Sequence, residues 1–196
     1  MLFHLHADHY GTMVIDNPEK IVEKIREWIL TSNELSICLT SGGMQFSYDY
    51  FFETSRKVFE KYRRGEHKGI RFITFIDGDN INAVKSYLDA GAKIKHVKNL
   101  PPMSICVSEK KVLTTLEKME GGKVVQNTLL SNDAAYIKYF AGTFDELWEK
   151  GIDAIERIKD IEEGRETYDE LADARQYVNQ VLQEVNKLKN KAAKQR

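Results

Sequence analysis

GIRFITFIDGDNINAVKSYL, residues 69–88, holds a strand, a turn and a helix in immediate succession. Ile70–Ile76 is an apolar, β-branched and aromatic run of strand length. Asp77-Gly78-Asp79-Asn80 follows as turn chemistry. Ile81–Ala90 then reads as a helix, with Gly91 at the position where a helix end favours a left-handed residue. A strand that feeds directly into a helix is the start of a βαβ unit, and the flanking sequence repeats the device. Upstream, Leu35–Thr40 is a short β-type run, and Phe46–Arg64 is a long aromatic-rich helix stopped by Gly65. Ile21, Val22, Ile25, Trp28 and Ile29 fall at helical spacing behind Asn17-Pro18, a cap followed by a first-turn proline. Downstream, Lys93–Val97, Met103–Ser108, Val112–Thr115 and Lys123–Leu129 are strand candidates. Asn132 or Asp133 caps a helix running through Trp148. The order predicts an α/β fold with a parallel sheet covered by helices and hairpin strands added later.

The chain has 196 residues, 42% hydrophobic and 30% charged, enough for one domain and an appendage. Lys and Arg (29) balance Asp and Glu (30), which argues against a dedicated nucleic-acid binder. The first residues, MLFHLHADHYG, lack the basic and apolar regions of a signal peptide. No apolar run approaches the ~20 residues of a membrane span. Cys38 and Cys106 lie in apolar runs without CxxC spacing and read as buried thiols of a reduced, cytoplasmic protein.

Near Gly164 the aromatics thin out and Glu, Lys, Gln and Ala take over. Leu171, Val178, Val185 and Ala192 recur every seven residues, and Ala174, Val181 and Leu188 recur at an offset of three. These are the a and d positions of one heptad frame, which places Glu170 against Arg175 and Glu184 against Lys189 in a parallel dimer. The predicted division is therefore a domain over 1–164 and a coiled-coil-like output helix over 165–196, with a homodimer as the expected assembly.

Tyr10-Gly11-Thr12, residues 69–88, KHVKN (95–99), ICVSE (105–109), LLSND (129–133) and FDELWEKGIDAIERIKDIEEG (144–164) carry a family likeness. Over these segments the chain resembles the phospholipase-D-like sensor domains at the N-terminus of archaeal signal-transduction histidine kinases. Similar domains serve as effector modules of archaeal TrmB-like transcriptional regulators. The resemblance implies a phospholipase-D-like sheet flanked by helices, a sensory or regulatory role, and dimers. It further implies an unknown small ligand and a histidine kinase or transcription regulator as partner. Neither kinase output boxes nor a preceding helix-turn-helix stand in the sequence.

Phospholipase-D-like enzymes use HxKxxxxD, with a histidine nucleophile and a lysine on the phosphate. His96-Val97-Lys98 begins such a pattern, but Met103 stands where the aspartate belongs. In the alternative register the three positions read Met103, Ile105 and Lys110. The expectation is no enzymatic activity and no cofactor, with a phosphodiesterase or nuclease bearing a degenerate motif, or a structural dimerisation module, as alternatives. His4, His6, Asp8 and His9 spell HxHxDH, a metal pattern that works after a substantial sheet and with further ligands. An edge strand with one polar face explains that run equally.

Ligands of open α/β sheets bind beyond the carboxyl ends of the strands. Three such ends supply candidate ligand-binding residues: Ser41, Gly42 and Gly43; Asp77, Asp79 and Asn80; and His96 with Lys98. Each has a bland counterpart: Gly42-Gly43 as a turn, Asp79 or Asn80 as a helix cap, His96 as a satisfied core histidine.

Overall fold

The structure, a computed structural model, describes residues 11–165 apart from 16, 102, 121 and 122, with the side chains of 116–127 left out. His4, His6, Asp8 and His9 and the heptad positions from Leu171 to Ala192 lie outside the described residues. The chain divides into two compact units, 1–157 and 158–196. Within the second, the described part is the end of a helix and the turn that follows it at Gly164 (φ +68°), with Arg165 bonded to Asp160.

The first unit is built on one eight-stranded mixed sheet. In chain order its elements are β1 (Thr12–Ile15), α1 (Pro18–Thr31), β2 (Leu35–Leu39), α2 (Ser41–Arg63), β3 (Ile70–Thr74), α3 (Ile81–Ala90) and β4 (Lys93–His96). There follow β5 (Met103–Val107), β6 (Val112–Glu120), β7 (Lys123–Ser131), α4 (Ala134–Lys150), β8 (Ile152–Asp153) and α5 (Ala154–Glu162), the last running into the second unit. The strand order is β1-β7-β6-β5-β2-β3-β4-β8. Strands β2, β3 and β4 are parallel, and every other pairing is antiparallel. β2 is therefore the seam where a parallel half meets an antiparallel half.

Alternation along the strands sorts side chains onto two faces. On one face Phe72 meets Tyr87 of α3 at 4.8 Å between ring centroids, and Phe52 and Phe59 of α2 close around the same tyrosine. The Tyr87 hydroxyl bonds Ser47, and burial pushes its pKa up to about 12. On the other face Cys38, Ile73 and Ile105 pack under Phe144 of α4. Arg71 spans the Phe144 and Trp148 rings at 4.9 and 5.4 Å and bonds Ser36 and Asp145. Lys95 crosses the Trp148 ring and donates to its carbonyl.

Local chemistry explains the starts of the helices. Asn17 accepts from the Lys20 N–H with Pro18 opening α1, Thr40 accepts from Gly43, and Asp133 accepts from Ala135 and Tyr136. Two expectations need correction here. Gly42 and Gly43 are not a loop: α2 begins at Ser41, five residues before the predicted Phe46, because Thr40 supplies the cap. Neither Asp79 nor Asn80 caps α3 through its side chain, because the Asn80 amide is engaged elsewhere. Among the described residues no helix is long and apolar enough to cross a membrane.

Candidate functional site

The parallel strands β2, β3 and β4 end side by side, and their C-terminal segments interlock. Asn80, 1% exposed, donates to Ser41 Oγ (3.1 Å) and to the Phe75 carbonyl (2.8 Å), and its Oδ1 accepts from the Asp77 N–H (3.2 Å). Asp77 Oδ1 in turn accepts from the N–H groups of Asp79 and Asn80. Thr74 reaches the Thr40 carbonyl, and Val97 N–H donates to Thr74 O. His96, 4% exposed, accepts the Ile76 N–H on Nδ1 at 2.8 Å, beside the Phe75 ring. The segments around Ser41–Gly43, Asp77–Asn80 and His96–Lys98 thus share one sheet edge.

What this edge leaves over for a ligand is small. The Gly43 N–H is taken by Thr40, the Asp77 carboxylate by two backbone donors, and the Asn80 amide by three partners. Burial, helped by the charges of Arg157 and Lys98 and opposed by Asp77, holds the His96 imidazole down at about 4. A neutral ring that accepts on Nδ1 carries its proton on Nε2, so neither nitrogen presents a free lone pair for attack. His96 clamps the end of β3 to β4. Asp79 and Lys98 are exposed at the rim. At the alternative register, Met103 and Ile105 belong to the apolar cluster beneath Phe144.

A second opening begins at the same glycines and has no local signature in the sequence. Between α1, α2 and the sheet lies a cleft of about 1120 Å³, the scale of pockets that take whole small molecules. Ile21, Ile25 and Ile29 of α1 form one wall, and Gly42, Gly43, Phe46 and Tyr50 of α2 form the other. Ile37, Leu39, Ser104, Cys106, Leu113, Thr115 and Thr128 form the floor. Trp28 Nε1 bonds Ser108 Oγ at 2.9 Å and anchors the C-terminal end of α1 to the sheet. Arg26 reaches across to the Tyr50 carbonyl and ties α1 to α2 at the rim. At Gly42, which lines that end of the cleft, an added Cβ would meet nothing within 4 Å, so a larger side chain has room there.

The two cysteines divide between the faces. In the β2–β5 register Ile37 opposes Cys106 and Cys38 opposes Ile105, so the thiols point to opposite sides of the sheet and cannot pair. Burial pushes Cys38 up to about 12 and raises Cys106 as well, so both are unreactive thiols at neutral pH.

No family model matches the chain, and no curated protein is similar to it. Solved structures are. TrmBL2, an archaeal chromatin protein whose structure shows a novel mode of DNA binding, superposes with a TM-score of 0.54 at 12% identity. That match covers 76% of this chain and 56% of TrmBL2, so the chain spans little more than half of that protein's length. Nuc from Salmonella typhimurium, a phospholipase D family member, matches with a TM-score of 0.54 at 13% identity, over 73% of this chain and 97% of Nuc. NucT from Helicobacter pylori gives 0.54 at 13%, over 74% of this chain and 99% of its own. The fold is phospholipase-D-like, as the sequence resemblance implied. The expectation of no enzymatic activity is overturned: it rested on the missing aspartate of HxKxxxxD, and the chain shares its fold with NucT and with Nuc, a phospholipase D family member.

Proposed function

We propose that the chain is a ligand-responsive regulatory module on a phospholipase-D-like fold, serving signal transduction or transcription control. A small molecule in the α1–α2 cleft is the signal, and residues 165–196 relay it to a second copy and onward to a histidine kinase or transcription-regulator partner. The observation that carries this reading is the cleft itself, a roomy opening on a sheet whose strand-edge polar groups are otherwise occupied with one another. The likeness to TrmBL2 supports a regulatory setting for the fold. The likeness to Nuc favours a second reading, phosphodiester chemistry at His96 and Lys98, which requires the His96 ring to release the Ile76 N–H.

Thermal unfolding of the full chain against a panel of sugars, nucleotides, organic acids, lipids and alcohols separates the two. A ligand present at a hundredfold excess over its Kd adds about 2.7 kcal/mol, which raises Tm by roughly 5–10 °C for a chain of this size. At least one class is expected to do so and to lose its effect when Gly42 is replaced by Trp. A panel without any shift, together with hydrolysis of bis(p-nitrophenyl) phosphate that His96→Ala abolishes, moves the assignment to the second reading.

A further inference from the structure

The floor of the cleft carries an ordered pattern that follows from strand register. Ser104 of β5 is directly opposite Thr115 of β6, and Thr115 is directly opposite Thr128 of β7. Three hydroxyl side chains therefore form one row across adjacent strands, roughly 10 Å from end to end at the usual strand spacing. The neighbouring row on the same face is apolar: Ile37, Cys106, Leu113 and Leu130 are opposite one another in turn. Thr115 and Thr128 share a hydrogen bond at 3.1 Å, which uses one of their two protons. Ser104 Oγ has no partner among the described residues.

Among the described residues, no charged side chain comes from the floor of the cleft. The charged side chains that line the cleft, Glu19, Glu23 and Arg26, all come from the exposed side of α1, and Arg26 is held by Tyr50 O. Among the described residues, an anion seated on the hydroxyl row would find no cation beside it, and burying a lone charge is strongly unfavourable. The first turn of α2 adds a partly positive end suited to a carbonyl or hydroxyl oxygen, although its Gly43 N–H is already bound to Thr40.

We propose that the cleft takes an uncharged, largely apolar small molecule whose single polar group lies on the Ser104–Thr115–Thr128 row while its body covers Cys106 and Leu113 under α1. This inference rests on the ligand-responsive reading and specifies its ligand class. Binding joins two complementary events: the apolar body removes the half-buried Ile21 and Ile25 from water, and the polar end gives the half-buried Ser104 hydroxyl a partner.

Nile red, a neutral apolar dye, is titrated into the full chain and then displaced with 1-decanol, methyl decanoate or decanoate. The expected result is saturable emission that the alcohol and ester reverse at concentrations at least tenfold below the carboxylate. Ser104→Ala combined with Thr115→Val keeps the dye but weakens 1-decanol roughly threefold to tenfold. Ser104→Trp fills the floor and removes dye binding; if circular dichroism shows that it does not fold, Ile25→Trp fills the cleft from α1 instead. Competition by decanoate equal to that of the alcohol, or dye binding untouched by the filling variants, overturns the inference. Should the dye fail to bind while a charged compound raises Tm, the ligand class is wrong and the regulatory reading stands. Should neither bind, both fall.

Discussion

At the scale of single residues, His96 shows how a motif-like position becomes a fastener. Its ring accepts the Ile76 N–H and is held neutral by burial and by the Arg157 and Lys98 charges. The folded pKa of about 4 lies below the ordinary value of 6.5. Protonation therefore favours the unfolded chain, so the stability His96 supports is whole above pH 6.5 and is lost as pH falls toward 4. His67, accepting the Gly69 N–H and also depressed first by burial, works in the same direction. Urea midpoints of the wild type should fall between pH 7 and pH 4 by the equivalent of a few kcal/mol, and His96→Asn should flatten much of that slope while lowering stability at pH 7. A wild-type midpoint that does not move would show that the ring protonates freely in the fold. The sequence placed His96, Asn80 and Ser41 at one edge because each follows a legible strand. It did not reveal that they bond backbone and one another, since hydrogen-bond partners separated by 20 to 39 residues leave no local pattern.

Elements differ in how firmly they are held, and the difference follows from what lies beneath them. α4 seats a fully buried Phe144 on Cys38, Ile73 and Ile105, with Arg71 across the ring. α1 buries Trp28 and Ile29 near its C-terminal end, while Ile21, Val22 and Ile25 are half-buried over the cleft. Phe144→Ala should cost about 3–5 kcal/mol in chemical denaturation, whereas Ile25→Ala, which removes atoms facing open space, should cost less than about 1 kcal/mol. Equal losses would mean that α1 is packed as tightly as α4. The helices and parallel strands were readable because period and punctuation agree over short windows, as in residues 69–88. The cleft was not: its walls come from α1 and α2 and its floor from β2, β5, β6 and β7, and Thr115 and Thr128 on their own suggest nothing more than ordinary strand composition. β1 also escaped notice, being four residues long and largely exposed.

At the scale of the whole molecule, the proposed relay needs a partner copy. In the heptad frame over 165–196, Val178 and Val185 occupy the seam, and the Glu170–Arg175 and Glu184–Lys189 pairs favour parallel chains. Light scattering should give a dimer at micromolar concentration, and Val178→Asp with Val185→Asp should give a monomer that keeps the tryptophan near-ultraviolet circular dichroism of the domain holding Trp28 and Trp148. A wild type that is monomeric at high micromolar concentration would remove the relay. The sheet carries a consequence of another kind, for how the chain is made. β1 pairs with β7, and the Thr12–Ser131 hydroxyl contact that fastens them spans 119 residues. A ribosome adding ~5–20 residues per second takes roughly 6 to 24 seconds to supply that partner. Throughout the interval Met13 and Val14, more than half exposed even in the finished fold, sit on an open strand edge. The nascent chain thus offers its first strand to any passing β-edge or holding factor until nearly the whole sheet has emerged.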